Sequence, residues 1–161
     1  MAQIISKDEF LKFQKKWGDR VVEIGKLYLE KKEYKQAAIE LVDSLYGYNE
    51  GTVLFKPTRA QHKEFRLTAR SAVSYFIGHD NEYSEDTGFA LQPWVKVRFV
   101  NSGFIFDSNY AITMGNYFFT DLEGREKKVE FTFGLFRSEN GNLKINLHHS
   151  SIPYLHPKHG N

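Results

Sequence analysis

Apolar residues recur every three or four positions from Phe10 through Phe13, Trp17, Val21 and Ile24 to Tyr28, and this spacing predicts a long amphipathic helix. Ser6 followed three residues later by Glu9 supplies its capping box. Gly18 and Gly25 fall inside the helix, where each costs roughly 0.5 to 1 kcal/mol relative to alanine, so something is expected to pack closely against them. Tyr34, Ala38, Leu41 and Leu45 repeat the helical period and predict a second helix ending near Tyr46. "TVLFKP" reads as a short strand closed by Pro57. A third helix is predicted from about Phe65 to Ile77, with Leu67, Ala72, Val73 and Phe76 on one side and Gly78 as its stop. The polar, acidic stretch from His79 to Pro93 is expected to be a flexible loop.

Beyond Pro93 the period changes to two. "WVKVRFVNSGFIFDS", "NYAITMGNYFFTD", "KKVEFTFGLFRS" and "LKINLHHSS" are separated by "DSN", "LEG" and "ENGN", which predicts four antiparallel strands in a meander. Glycines at 103, 115 and 134 mark places for the sheet to bend. Helices followed by a curved antiparallel sheet make an α+β domain with the helices on one face, able to enclose a cone-shaped pocket.

At 161 residues the chain is expected to form one domain, with 153–161 as a flexible tail. Its 22 basic and 20 acidic residues are interspersed and leave a net charge of +2, which argues against nucleic acid as a partner. The absence of cysteine excludes disulfides, thiolate metal ligands and a cysteine nucleophile. Neither a signal-type apolar core nor a stretch of about 20 apolar residues is present, so no membrane association is expected and the chain reads as cytoplasmic.

The chemistry gathers in the last strand, "INLHHSSIPY". Strict alternation puts Leu143, Ile145, Leu147, His149 and Ser151 on one face, and the aliphatic trio marks that face as the core side. His149 and Ser151 are therefore expected to point inward, and His148 and Ser150 outward. Adjacent histidines on opposite faces do not converge on a zinc ion, and His62, His79, His156 and His159 show no ligand spacing. No G-x-S-x-G elbow accompanies His149 and Ser151 as a hydrolase pair. Taken alone, His149 is as well explained by a hydrogen-bonded core histidine, Thr58 by a turn residue after Pro57, and Tyr75 by helix packing.

"HHSSIP", together with "VLFKPT", "SYF" and "MGNYFFT", resembles the cone-shaped superfamily of nuclear transport factor two and the SnoaL-like proteins. Within it, "YAITMGNYFFTDLEGREKKVEFTFGLF" and "LKINLHHSSIPY" are similar to the iota-class carbonic anhydrases, over nearly the whole chain. The resemblance implies reversible hydration of CO2 to bicarbonate without a metal cofactor, Mn or Zn being the alternative. It also implies a substrate pocket of Thr58, Tyr75, His149 and Ser151. His149, with an ordinary pKa near 6.5, is then the expected base, Tyr75 a donor, and Thr58 and Ser151 the groups that orient water or bicarbonate. Tyr117 shares parity with Ala111, Thr113 and Phe119 and is a further pocket candidate.

Two other readings compete. An isomerase or cyclase of the same fold needs an acid in the cone, and Glu130 alternates away from Val129, Phe131 and Phe133. A binding or assembly module needs an apolar outer face, for which Ile112, Phe118 and Phe136 are candidates, and the enzyme too is expected to be a homodimer.

Overall fold

The computed structural model describes residues 3–158, in the order α1 Lys7–Leu29, α2 Tyr34–Leu45, β1 Leu54–Lys56, α3 Ala69–Ile77, β2 Trp94–Phe106, β3 Tyr110–Asp121, β4 Glu126–Arg137 and β5 Leu143–Ser151. Residues 152–158 form neither helix nor strand and are mostly exposed, while His159 and the rest of the expected tail lie outside the described residues. No described helix is long and apolar enough to cross a membrane.

Ser6 caps α1 as its sequence requires: its hydroxyl accepts from the Glu9 amide at 3.1 Å, and Glu9 accepts from the Ser6 amide at 2.9 Å. Phe10, Phe13, Trp17, Val21 and Ile24 are buried along one stripe, which lies across the concave face of the sheet. The glycines in this helix mark close approach. A Cβ on Gly25 would come within 2.7 Å of the Ala90 carbonyl and of Pro93.

The sheet runs β1-β5-β4-β3-β2. Its four long strands form the expected antiparallel meander, and β1 adds to the far edge in parallel, with Leu54, Phe55 and Lys56 opposite Leu147, His148 and His149. The bends coincide with breaks in register. β2 carries an extra residue between Asn101 and Gly103, opposite Gly115 and Met114. β5 carries one too: Gly134 pairs with Leu147 and Leu135 with Ile145, so Asn146 has no partner of its own. Gly134 is required there, because a Cβ would overlap the Tyr110 hydroxyl and crowd the Leu147 side chain.

Two expectations are corrected. The third helix begins at Ala69 rather than near Phe65: Thr68 is its N-cap, Phe65 and Leu67 are exposed, and the Arg66 amide instead donates to the Phe55 carbonyl at 2.7 Å. It stops at Gly78, where φ is +66°. The stretch from His79 to Pro93 is an anchored segment with two short 3-10 turns, and it buries Phe89, Ala90 and Leu91 in the core. Its anchor is a fully buried ion pair in which Arg66 donates two bonds to Asp86, at 2.7 and 2.6 Å. Ser74 donates to the same carboxylate at 2.6 Å, and Arg66 also donates to the carbonyls of Lys63 and Ser71. A sequence reader sees polar residues there, but their pairing across 20 positions has no local signature.

Candidate functional site

A cavity of about 10 Å³, the room one water-sized molecule needs, lies between the open end of α3, the loop after β1 and the inner face of the sheet. Trp17, Phe55, Pro57, Phe76 and Phe89 make its apolar wall, and Thr58, Tyr75, Tyr117, His148 and Ser150 its polar wall. Each polar group is held by a different element. Pro57 ends β1 and turns Thr58 over the sheet edge, so that its hydroxyl lies 2.6 Å from that of Ser150. Tyr75 is on the buried face of α3; its hydroxyl accepts from the Arg59 amide at 3.2 Å, and its ring stacks on Phe89 with centroids 5.5 Å apart.

Tyr117 comes from the middle of β3 and His148 and Ser150 from β5. The Tyr117 hydroxyl is hydrogen-bonded to Ser150 and lies 3.2 Å from His148 Nε2. On the other side of the imidazole, Nδ1 is 2.9 Å from the Tyr46 hydroxyl, which in turn accepts from the Trp17 indole at 3.0 Å. Phe55 covers one face of the His148 ring at 4.7 Å between centroids, and Phe133 meets it edge to face at 4.5 Å.

The electrostatics follow from burial. Charging a phenol in this setting costs solvation, which pushes Tyr75 up to about 12 and raises Tyr46 and Tyr117 above the usual phenol range as well. The same effect drives the His148 imidazole well below its usual value, with the neighbouring His149 acting in the same direction. At neutral pH the site therefore holds uncharged hydroxyls around an uncharged imidazole. Such a set gives hydrogen bonds to a small polar or anionic group and has no carboxylate with which to abstract a proton from carbon.

The family described as metal-independent carbonic anhydrase matches residues 8–152. The chain belongs to this family. A curated metal-independent carbonic anhydrase from Nostoc sp. is 41% identical over 153 residues, covering 93% of this chain and 75% of that one. A solved cyanobacterial iota-carbonic anhydrase, complexed with bicarbonate, superposes with a TM-score of 0.93 at 39% identity and 97% coverage of both chains. A protein described as a calcium/calmodulin-dependent protein kinase type II association domain, from Thiobacillus denitrificans, shares the fold alone: TM-score 0.52, 12% identity, 83% of this chain and 93% of that one. The expected fold, activity and metal independence are those of the family.

The cavity collects three of the residues expected from sequence, Thr58, Tyr75 and Tyr117. It does not collect His149 and Ser151. The extra residue at Asn146 reverses the alternation of β5, so Ile145 points inward but Leu147, His149 and Ser151 point outward, beside Met114, Glu130 and Thr132. His149 is exposed, and Ser151 donates to Glu130 at 3.1 Å on that outer face. His148 and Ser150 take the inward places, and the imidazole there is neutral rather than poised near 6.5. Sequence reasoning missed these two, along with Trp17 and Tyr46 behind them. The signals available were Gly134 opposite the bulge and the polar Asn146 between two aliphatic residues.

Among the described residues, no acid lines the cavity. Glu130 is exposed on the outer face, Asp86 is committed to Arg66, and Asp121 accepts from the amides of Glu123 and Arg125 in the β3–β4 turn. Among the described residues, no three of His, Cys, Asp and Glu converge as a metal site.

Proposed function

We propose that CO2 hydration takes place at this cavity and its mouth beside Thr58 and Arg59, with Thr58, Tyr75, Tyr117, His148 and Ser150 as its working wall. The observation that carries the reading is the division of one small buried space into an aromatic half and a half made of hydroxyls and a neutral imidazole. Linear, apolar CO2 suits the aromatic half. As water attacks carbon, one C=O electron pair becomes the charge of a carboxylate, and hydroxyl donors fixed beforehand stabilise that charge without reorganising. The new C–O bond leaves bicarbonate, and the water's proton passes to solvent water on the Thr58–Arg59 side, since Ser150, Tyr117 and His148 lie deeper. Tyr75 and Thr58 act here as donors to the carboxylate oxygens.

Arg59 forms the rim. Its guanidinium lies over Phe89 at 5.3 Å and Trp94 at 5.7 Å, next to the opening, and it appears in no ion pair among the described residues. A cation there favours bicarbonate and the anionic transition state alike, and leaves neutral CO2 unaffected. Arg59→Ala is expected to raise KM for bicarbonate about fivefold with kcat for dehydration unchanged, the effect of one solvent-screened charge. The equilibrium constant links the two directions, so kcat for hydration should fall by the same factor while KM for CO2 stays constant. Both directions are measured by stopped flow. Unchanged constants, or a KM change for CO2 instead, would remove the cavity mouth from this side of the molecule.

The homodimer is part of the same proposal. Val100, Ile105 and Met114 are exposed on the face of the sheet that turns away from α1, and Ile112 and Phe118 share that face, half-buried.

A further inference from the structure

Between α1 and the cavity the polar side chains form one line: Trp17 Nε1, Tyr46 Oη, the two nitrogens of His148, Tyr117 Oη, Ser150 Oγ and Thr58 Oγ1. Its direction is decided at the first member. An indole N–H donates and cannot accept. Tyr46 therefore accepts from Trp17, and its own proton has His148 Nδ1 as its partner at 2.9 Å. With Nδ1 accepting, the single proton of a neutral imidazole sits on Nε2 and is donated to Tyr117. Tyr117 then donates to Ser150, and Ser150 to Thr58.

The opposite direction would make Tyr46 accept twice and leave its proton without a partner in a fully buried place, which is the costly arrangement. At the cavity end, the Thr58 proton has the cavity and the neighbouring Tyr75 hydroxyl before it. The proton of Tyr75, whose oxygen already accepts from the Arg59 amide, is left over.

We propose that Trp17 is a positioning residue of this enzyme: its indole N–H orients the whole line, holds His148 as the Nε2–H tautomer, and presents the Thr58 and Tyr75 protons to the cavity as a pair of donors. What those donors act on rests on the reading of the cavity as the CO2 and bicarbonate site; the tautomer does not. The consequence is a site preset for the oxygens of a carboxylate.

The test is a two-bond proton–nitrogen correlation spectrum of the ¹⁵N-labelled full chain at pH 7 to 8, with His148 assigned by the signals lost in His148→Gln. The expected result is a protonated Nε2 and an unprotonated Nδ1. A protonated Nδ1, an imidazolium, or fast exchange between tautomers in the unmodified protein overturns the proposal. In Trp17→Phe the line can run either way, so the two nitrogens should move toward a tautomer mixture and kcat for hydration should fall at least about tenfold with KM little changed. If that variant folds and keeps both the spectrum and kcat, Trp17 is not what orients the line. If it fails to fold, the spectrum of the unmodified protein decides. A protein with the expected tautomer but no hydration activity would sink the functional reading and leave the assignment of direction standing.

Discussion

Ser150→Ala is expected to lower kcat/KM for CO2 hydration about 100-fold, the usual cost of losing one member of a preorganised donor set, while Ser151→Ala stays within about twofold. The two serines are neighbours in sequence and differ in what they touch. Ser150 is buried and joins Tyr117 to Thr58, so its loss strands two hydroxyls and leaves Thr58 without the bond that holds it over the cavity. Ser151 makes one bond, to Glu130, on the outer face of the sheet. Tyr75→Phe should resemble Ser150→Ala, since it removes a cavity donor and keeps the ring stacked on Phe89. Melting temperatures measured on the same samples separate lost chemistry from lost fold. Equal losses at the two serines would contradict the bulge in β5.

Asp86→Ala is expected to cost about 3 to 5 kcal/mol of unfolding free energy, read by urea denaturation, because it leaves the Arg66 guanidinium buried without its counter-charge. The charge is not needed for its own sake. The pair holds the loop carrying Thr58 and Arg59 against the segment that delivers Phe89, so activity should be lost along with stability. A double replacement, Arg66→Met with Asp86→Leu, should lose much less, since no charge is then stranded. If Asp86→Ala unfolds at the same urea concentration as the unmodified protein, the pair is not what anchors this edge of the cavity.

How far the sequence exposed this arrangement depended on whether the governing interaction was local. The caps at Ser6 and Gly78 act within a few residues, and both ends fall where their chemistry requires. The meander was readable because short turn sequences separate long runs of period two. Thr58, Tyr75 and Tyr117 were reachable through the family resemblance, together with Pro57 and strand parity. His148 and Ser150 were not reachable by parity, since one unpaired residue at Asn146 inverts every position after it. Leu147 made the error persuasive, being an aliphatic residue on the outer face of its strand. Trp17 and Tyr46 looked like ordinary helix core, and most of their surface is that. Their polar atoms acquire a role only when α1 is laid across the sheet and the imidazole arrives from 102 residues beyond Tyr46.

Hydration is expected to proceed on protein groups alone, hydroxyls and a neutral imidazole with the Arg59 cation at the rim. The most direct test is a stopped-flow CO2 hydration assay on chelator-treated protein, with metal content measured on the same sample. Turnover that persists at undetectable metal, and is lost in Ser150→Ala under the same conditions, is the predicted result. Turnover that disappears with the chelator and returns with Mn²⁺ or Zn²⁺ would contradict it.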